Sequence, residues 1–313
     1  MKVTIVGTGH VGATVGHLVV MQGLADDLVL VNRDRRKADG HALDLQHAAS
    51  MVRHPVHVSS GRIADSKNSD VIVFAISVPM DPRNADRRAL AVGNAPLIRD
   101  WMPQLADASP NAVFLIVTNP VDVMTWATLQ VTDLPPSRVC GIGTIVDSAR
   151  FRALMSDELG IHADDIRAYI LGEHGASQVA AISVASVGGE TIDATLEKAR
   201  LFAQKTTESG IEIFRLKGYT NFAVATATAL VIEAVQHDQH HTMPLSVKLD
   251  GFCEIHDVCL SIPVVIGRAG VTRQLQPHLT PDEIEAFSKS AEMVKSCNQQ
   301  ILPILNKNCG CPS

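Results

Sequence analysis

No stretch of this 313-residue sequence stays apolar for long enough to cross a bilayer. Its Lys and Arg residues form no long basic block, and with 27 of them against 33 acids the net charge is −6, which argues against a nucleic-acid surface. Six cysteines, Cys140, Cys253, Cys259, Cys297, Cys309 and Cys311, lack the paired spacing of zinc ligands. A chain of this length needs no disulfides, so they read as reduced thiols, and the closing NKNCGCPS reads as a polar tail after a helix. There is no repeat, no low-complexity tract and no Pro/Gly-rich linker. The opening MKVTIVGTGHVG runs straight into a strand-like segment, without the parts of a secretory signal. These absences lead to the expectation of a cytoplasmic protein with neither membrane nor nucleic-acid partner, acting on small molecules.

What is present is a chain that is 46% hydrophobic and 19% charged, enough for a substantial core in one large or two medium domains. Over the first half, short apolar runs alternate with helical patterns: VTIVG (3–7), LVLVN (28–32), VIVFAIS (71–77) and AVFLIVTN (112–119). Such runs, rich in Val and Ile on both faces, suit strands buried from both sides, and their spacing suits right-handed βαβ crossovers. The expected fold is α/β, an N-terminal doubly wound parallel sheet of Rossmann type. After about residue 141 the alternation stops. Helix is expected from near Asp147, a strand in VAAISVASVGG (179–189), helices near 194–216 and 221–240, strands around 245–249 and 258–266, and a helix after LTPDEIEAF. The expected division is therefore a dinucleotide-binding domain over 1–141 and an α+β catalytic domain over 142–313, with the ligand in the crevice between them.

GTGHVG sets Gly7, Gly9 and Gly12 in GxGxxG spacing after a strand and at the start of a helix, with His10 and Val11 between the last two glycines. A tight turn, close approach of backbone to a pyrophosphate, and close helix packing each call for a residue without a side chain. These five residues are assigned to a dinucleotide cofactor. The acid usually found at the end of the second strand is here Asn32, followed by RDRRK. Asparagine can bond a ribose hydroxyl without repelling a 2′-phosphate. Arg33, Arg35 and Arg36 are either partners for such a phosphate or the solvated start of a helix, so NAD is expected with NADP left open.

In YILGEHGASQVA (169–180) His174 stands between an acid and a glycine. Alone, it reads as a hydrogen-bonded structural residue before a proton carrier, since only its shiftable imidazole recommends the second role. DRRALAVGN (86–94), TNPVDV (118–123), VDSARFR (146–152) and KGYT (217–220) stand around it in order. With these motifs the sequence resembles the L-lactate/malate dehydrogenase family over essentially its whole length. GLADD (23–27), LGEHGASQ and KGYTNFAVATA are most similar to its bacterial L-2-hydroxyisocaproate dehydrogenase branch.

The resemblance implies reduction of a 2-oxo acid to an L-2-hydroxy acid. That needs a hydride on the carbonyl carbon and a proton on its oxygen. His174 is implied as the proton carrier and Asp147 as the carboxylate that holds its tautomer and supports its charge. Arg150, on the same helix face three residues later, is implied as the clamp on the substrate carboxylate. Arg87 is implied to polarise the carbonyl from a closing loop, and Asn119 to donate to the substrate oxygen and help orient the nicotinamide. Thr220 either lines the substrate pocket or caps the helix that follows it.

Counting along the specificity loop gives Met80 from one side and Asp81 from the other; neither is the arginine of malate dehydrogenases. An aliphatic 2-oxo acid or pyruvate is expected over oxaloacetate, unless Arg83 reaches a second carboxylate. By the same resemblance Arg152 and Arg167 are either an anionic effector site or surface charge. His237 and His241 read as cations near a helix C-terminus rather than metal ligands, so no metal is expected. The nearly all-round apolar FAVATATALVIEAV, with the resemblance, implies a homodimer or homotetramer.

Overall fold

The four apolar runs of the first half do form strands with almost every residue buried, because helices cover both faces of the sheet they build. The computed structural model describes residues 1–79, 87–192 and 196–307. In chain order the first half comprises β1 (Lys2–Val6), α1 (His10–Gln22), β2 (Asp27–Val31), α2 (Arg35–Ala49), β3 (His57–Gly61) and β4 (Val71–Phe74). It continues through α3 (Arg87–Ala108), β5 (Val113–Ile116), α4 (Val121–Val131) and β6 (Val139–Gly141). The second half has α5 (Ile145–Leu159), β7 (Ile166–Arg167), β8 (Ile170–Leu171), β9 (Val179–Ala180), β10 (Ser186–Val187) and β11 (Glu190–Thr191). Then follow α6 (Leu196–Lys217), α7 (Phe222–Gln236), β12 (His241–Asp250), β13 (His256–Gly267), β14 (Gly270–Gln274) and α8 (Pro281–Leu305).

Strands β3-β2-β1-β4-β5-β6 lie side by side and parallel, so the strand order reverses between β1 and β4. In such sheets the crevice beyond the carboxyl ends of the strands at that reversal is where ligands bind. The sheet does not end at the expected boundary near 141. β12, β13 and β14 continue it antiparallel, joined through the single pair Ser246 and Gly141, to make nine strands. An uncovered β6 edge would leave its ladder groups unpaired, and β12 supplies the partner. The main core accordingly runs through both halves, while Phe151, Met155, Ile166, Ile170 and Phe202 form a separate small core beneath α5 and α6.

Two expected elements differ. VAAISVASVGG is not one strand: β9 pairs with β8 and β10 with β7, in different sheets, and a short 3₁₀ turn over Ile182–Val184 separates them. His237 and His241 are not one helical turn apart either. α7 ends at Gln236, His237 caps it, and His241 already begins β12. No group of metal-ligating side chains occurs among the described residues, and no single helix among them is long and apolar enough to cross a membrane.

Candidate active site

At the strand-order reversal the three glycines of GTGHVG have three different reasons to be glycine. Gly7 sits at φ +103°, and a Cβ on it would lie 2.6 Å from the Ile76 nitrogen beyond β4. A Cβ on Gly12 would stand 1.8 Å from the Gly7 carbonyl oxygen. Neither space nor conformation within the protein demands Gly9, which is extended (φ −76°, ψ −168°) and whose Cβ would meet nothing within 4 Å. Its bare backbone faces open space at the N-terminus of α1, a helix with no acid in its first turn. This is a cradle for an anion that must approach closely, and a dinucleotide pyrophosphate fits it.

His10 opens α1, and its ring stacks on Tyr219 with centroids 3.8 Å apart and planes 6° from parallel. The connection is braced by Asn221, which donates to the Thr14 hydroxyl at 2.9 Å and accepts from Lys217. Asn221, not Thr220, is the cap residue of α7, so the helix-cap alternative for Thr220 is set aside. Asn32 follows β2; its amide donates to the Thr8 hydroxyl at 2.6 Å and its carbonyl accepts from the Asp34 N–H at 3.2 Å. Asp34 caps α2 by accepting from Arg36 N–H, while Arg33, Arg35 and Arg36 are exposed.

His174 lies in the loop between β8 and β9, and the sequence LGEHGASQ places it there by a dense set of local bonds. Gly172, at φ +84°, exchanges both of its backbone groups with Ser261 of β13 at 2.9 Å. Glu173 N–H donates to the Ser290 hydroxyl of α8 at 2.8 Å, and the Glu173 carboxylate accepts from Ser177 at 2.5 Å. His174 N–H donates to Asp122 at 2.8 Å, which joins this loop to the first turn of α4. Its ring Nδ1 bonds Asp147 Oδ2 at 2.5 Å. The other oxygen of that buried carboxylate accepts from Arg150 Nη1 at 3.2 Å. Asp147 and Arg150 share a face of α5 because they are three residues apart, and the guanidinium lies against Gly210 of α6.

Asn119 sits just beyond β5, exposed, three residues before Asp122. Its carbonyl accepts from Asn94 Nδ2 at 2.7 Å, and the same buried Asn94 accepts from Val78 N–H at 2.8 Å. A chain of hydrogen bonds therefore runs from Val78 through Asn94 to the 119–122 turn, and from Asp122 through His174 and Asp147 to Arg150. Asn94 and Asp122 were not singled out from the sequence, although both lie within the quoted motifs. Met80, Asp81 and Arg83 lie outside the described residues, as do Cys309 and Cys311. Arg87 is the first residue of α3, and its side chain is likewise outside the description.

Burial raises the Asp122 carboxyl to about 6. The folded chain thus binds this proton more tightly than the unfolded one, so its contribution to stability is fully present below the ordinary carboxylate range and is lost as pH rises through about 6. The whole change is about 3 kcal/mol, roughly half of it above pH 5. Urea unfolding of Asp122→Asn beside the wild type at pH 5 and 7.5 checks this: the variant is expected to gain on the wild type as pH rises. Among the other thiols and bases, Cys140 is pushed up to about 12 by burial. Burial and the nearby Arg167 both lower the Arg152 guanidinium, and Arg167 lines a separate cavity with Asp165 and Ser186.

Residues 1–141 match the family described as lactate/malate dehydrogenase, NAD binding domain, and residues 144–302 match lactate/malate dehydrogenase, alpha/beta C-terminal domain. The L-lactate dehydrogenase of Thermoanaerobacter sp. (strain X514) is 35% identical over 309 residues, covering 96% of this chain and 99% of its own. That of Thermus aquaticus is 36% identical over 304 residues, covering 94% and 97%. The solved structure of the minor L-lactate dehydrogenase from Enterococcus mundtii superposes with a TM-score of 0.91 at 31% identity, over 96% of this chain and 98% of that one. Two family matches that adjoin at the end of β6, and relatives aligned almost end to end, establish that the chain belongs to the lactate/malate dehydrogenase family.

Proposed function

We propose that the protein catalyses the NAD-dependent, reversible reduction of 2-oxo acids to L-2-hydroxy acids. The observation that carries this reading is the Asp147 carboxylate shared between His174 Nδ1 at 2.5 Å and Arg150 Nη1 at 3.2 Å. It sets a proton carrier beside a cationic fork, the pair of groups that a 2-oxo acid requires.

Arg150 binds the substrate carboxylate through charge-assisted bonds and so fixes which face of the carbonyl is presented. His174 Nδ1 is committed to Asp147, which leaves proton exchange with the carbonyl oxygen to Nε2. The buried Asp147 anion supports the imidazolium form needed for reduction. Asn119 donates to the same oxygen, and Arg87 polarises it from the head of α3. Thr220 is assigned to the side-chain pocket; the specificity role falls to Met80, outside the described residues, whose adaptable thioether favours an aliphatic chain such as that of 2-oxoisocaproate, or pyruvate, over oxaloacetate.

Gly7, Gly9, His10, Val11 and Gly12 hold the pyrophosphate, Asn32 the adenosine ribose, and Asn119 the nicotinamide, which supplies the hydride when bound. Asp34 sets a carboxylate next to Asn32 and disfavours a 2′-phosphate, so NADH is the preferred cofactor and NADPH a weaker one. The division into domains over 1–141 and 142–313 is part of the same reading. A homodimer or homotetramer is proposed from the exposed apolar side chains Leu43 and Met51 around α2 and Phe222 and Leu230 on α7.

The test is initial-rate oxidation of NADH and of NADPH with pyruvate, 2-oxoisocaproate, phenylpyruvate and oxaloacetate in parallel. A monocarboxylic 2-oxo acid with NADH is the expected preference. Preference for oxaloacetate would transfer the specificity role to Arg83, and absence of turnover with all four would leave a dinucleotide-binding protein without this activity. Gly9→Ala gives a second check on the cradle. Its melting temperature is expected to match the wild type, since the added methyl meets no protein atom, while Kd for NADH from fluorescence titration rises about tenfold or more. Unchanged NADH affinity would place the pyrophosphate elsewhere.

A further inference from the structure

Beneath His174 lies a polar group that the proposed chemistry does not use. Asp122 is 2% exposed, and among the described residues only one of its carboxylate oxygens is bonded, Oδ2, which accepts from the His174 N–H at 2.8 Å. Oδ1 has no hydrogen-bond partner among the described residues. The Ser246 hydroxyl faces this carboxylate and favours its charge while standing outside hydrogen-bonding geometry. Ser261 is directly opposite Ser246 in the β12–β13 ladder, and its hydroxyl likewise has no partner among the described residues. Both serines are fully buried. A buried polar atom without a partner costs stability, and here three of them gather where α4, β12 and β13 meet.

We propose that Asp122 is a positioning residue for the catalytic imidazole: one carboxylate oxygen holds the His174 main chain, the other shares an ordered internal water with the Ser246 and Ser261 hydroxyls, and the negative charge so held supports the imidazolium. Three polar atoms in one sealed neighbourhood are what an internal water takes as partners. The proposal rests on the function argued above. It makes His174 a residue gripped twice by carboxylates, by Asp147 at the ring and by Asp122 at the backbone, one from each half of the chain.

The groups facing Asp122 decide the sign of its effect. His174 and Glu173 face it from the β8–β9 loop, Ser246 from β12 and Cys259 from β13, with Lys248 of β12 beyond Cys259. Glu173 disfavours the Asp122 charge and His174 favours it. By reciprocity a charged Asp122 supports the imidazolium, and its loss moves the imidazole toward its neutral form.

The test uses the full-length holoenzyme and the isosteric Asp122→Asn, whose side-chain carbonyl can still accept from His174 N–H. In the reduction direction the rate falls as pH rises and the imidazolium is lost. That limb of kcat/KM is expected to move about one pH unit toward acid in the variant, with Kd for NADH unchanged. The pH dependence of His174 carbethoxylation, followed by peptide mass after diethyl pyrocarbonate treatment, is expected to move with it, since only neutral imidazole reacts. A limb and a modification profile that superpose on the wild type overturn the proposal, whatever happens to stability. If Asp122→Asn does not fold, Ser246→Ala is expected to move both profiles the same way by less, and unmoved profiles there overturn it equally. The modification profile needs no turnover, so an inactive wild type defeats the functional reading separately from this one.

Discussion

Replacing His174 by asparagine is expected to lower kcat for 2-oxo acid reduction by about 10³-fold, within the 10²–10⁴ range that positioned acid–base groups supply. Asparagine is the informative replacement because its amide N–H can stand where Nδ1 stood and still donate to Asp147 Oδ2, now bonded at 2.5 Å. The buried carboxylate then keeps a partner, and the loss is not confused with the cost of an orphaned charge. The His174 N–H to Asp122 is a backbone bond and survives the change. Melting temperature and Kd for NADH are therefore expected to stay near wild type while turnover collapses. The pH signature should vanish with it: reduction in the wild type fades as pH rises, oxidation as pH falls, and the variant should lose both limbs. A kcat within tenfold of wild type would remove His174 from the chemistry.

How far this was legible in the sequence depends on whether a feature is local. GTGHVG could be placed correctly because strand, turn and helix are all carried by residues 3–22, and VIVF and VFLI announce themselves as strands buried on two faces. Asp147 and Arg150 could be paired in advance because an i, i+3 spacing on a helix is itself a contact. β3 was missed because HVSSG has no apolar pattern of its own, and it is a strand only through its register with β2. VAAISVASVGG read as one strand because nothing in its composition shows that its two ends pair with different partners. The continuation of the parallel sheet by β12 to β14 hangs on one residue pair more than a hundred positions apart in sequence, Ser246 with Gly141. Asn94 and Asp122 escaped for the same reason. An asparagine in a helix and an aspartate after a proline look like surface residues until the fold buries them against the Asn119 carbonyl and the His174 amide.

The largest effect away from the imidazole is expected at Arg150, where lysine should raise KM for the 2-oxo acid about 10²-fold and lower kcat/KM further, with Kd for NADH unmoved. The charge is retained in this variant, so the loss measures the planar fork. A guanidinium can give two parallel bonds to a carboxylate while an Nη1 hydrogen still reaches Asp147 Oδ1 at 3.2 Å, whereas an ammonium on a flexible stem offers no fixed fork. Charge-assisted bonds of this kind are worth about 1.5–3 kcal/mol each, so losing one and loosening another accounts for about 10²-fold or more. The fork's position is set by the fold, since the guanidinium lies against Gly210, where an added Cβ would come within 3.3 Å of Nη1. Because Asp147 bonds both Arg150 and His174, Asp147→Asn and Arg150→Lys are expected to be non-additive, with the double variant losing less than the product of the single losses. Strict multiplication would mean that Asp147 acts on His174 alone, and the shared carboxylate would no longer explain how proton carrier and clamp are held in register.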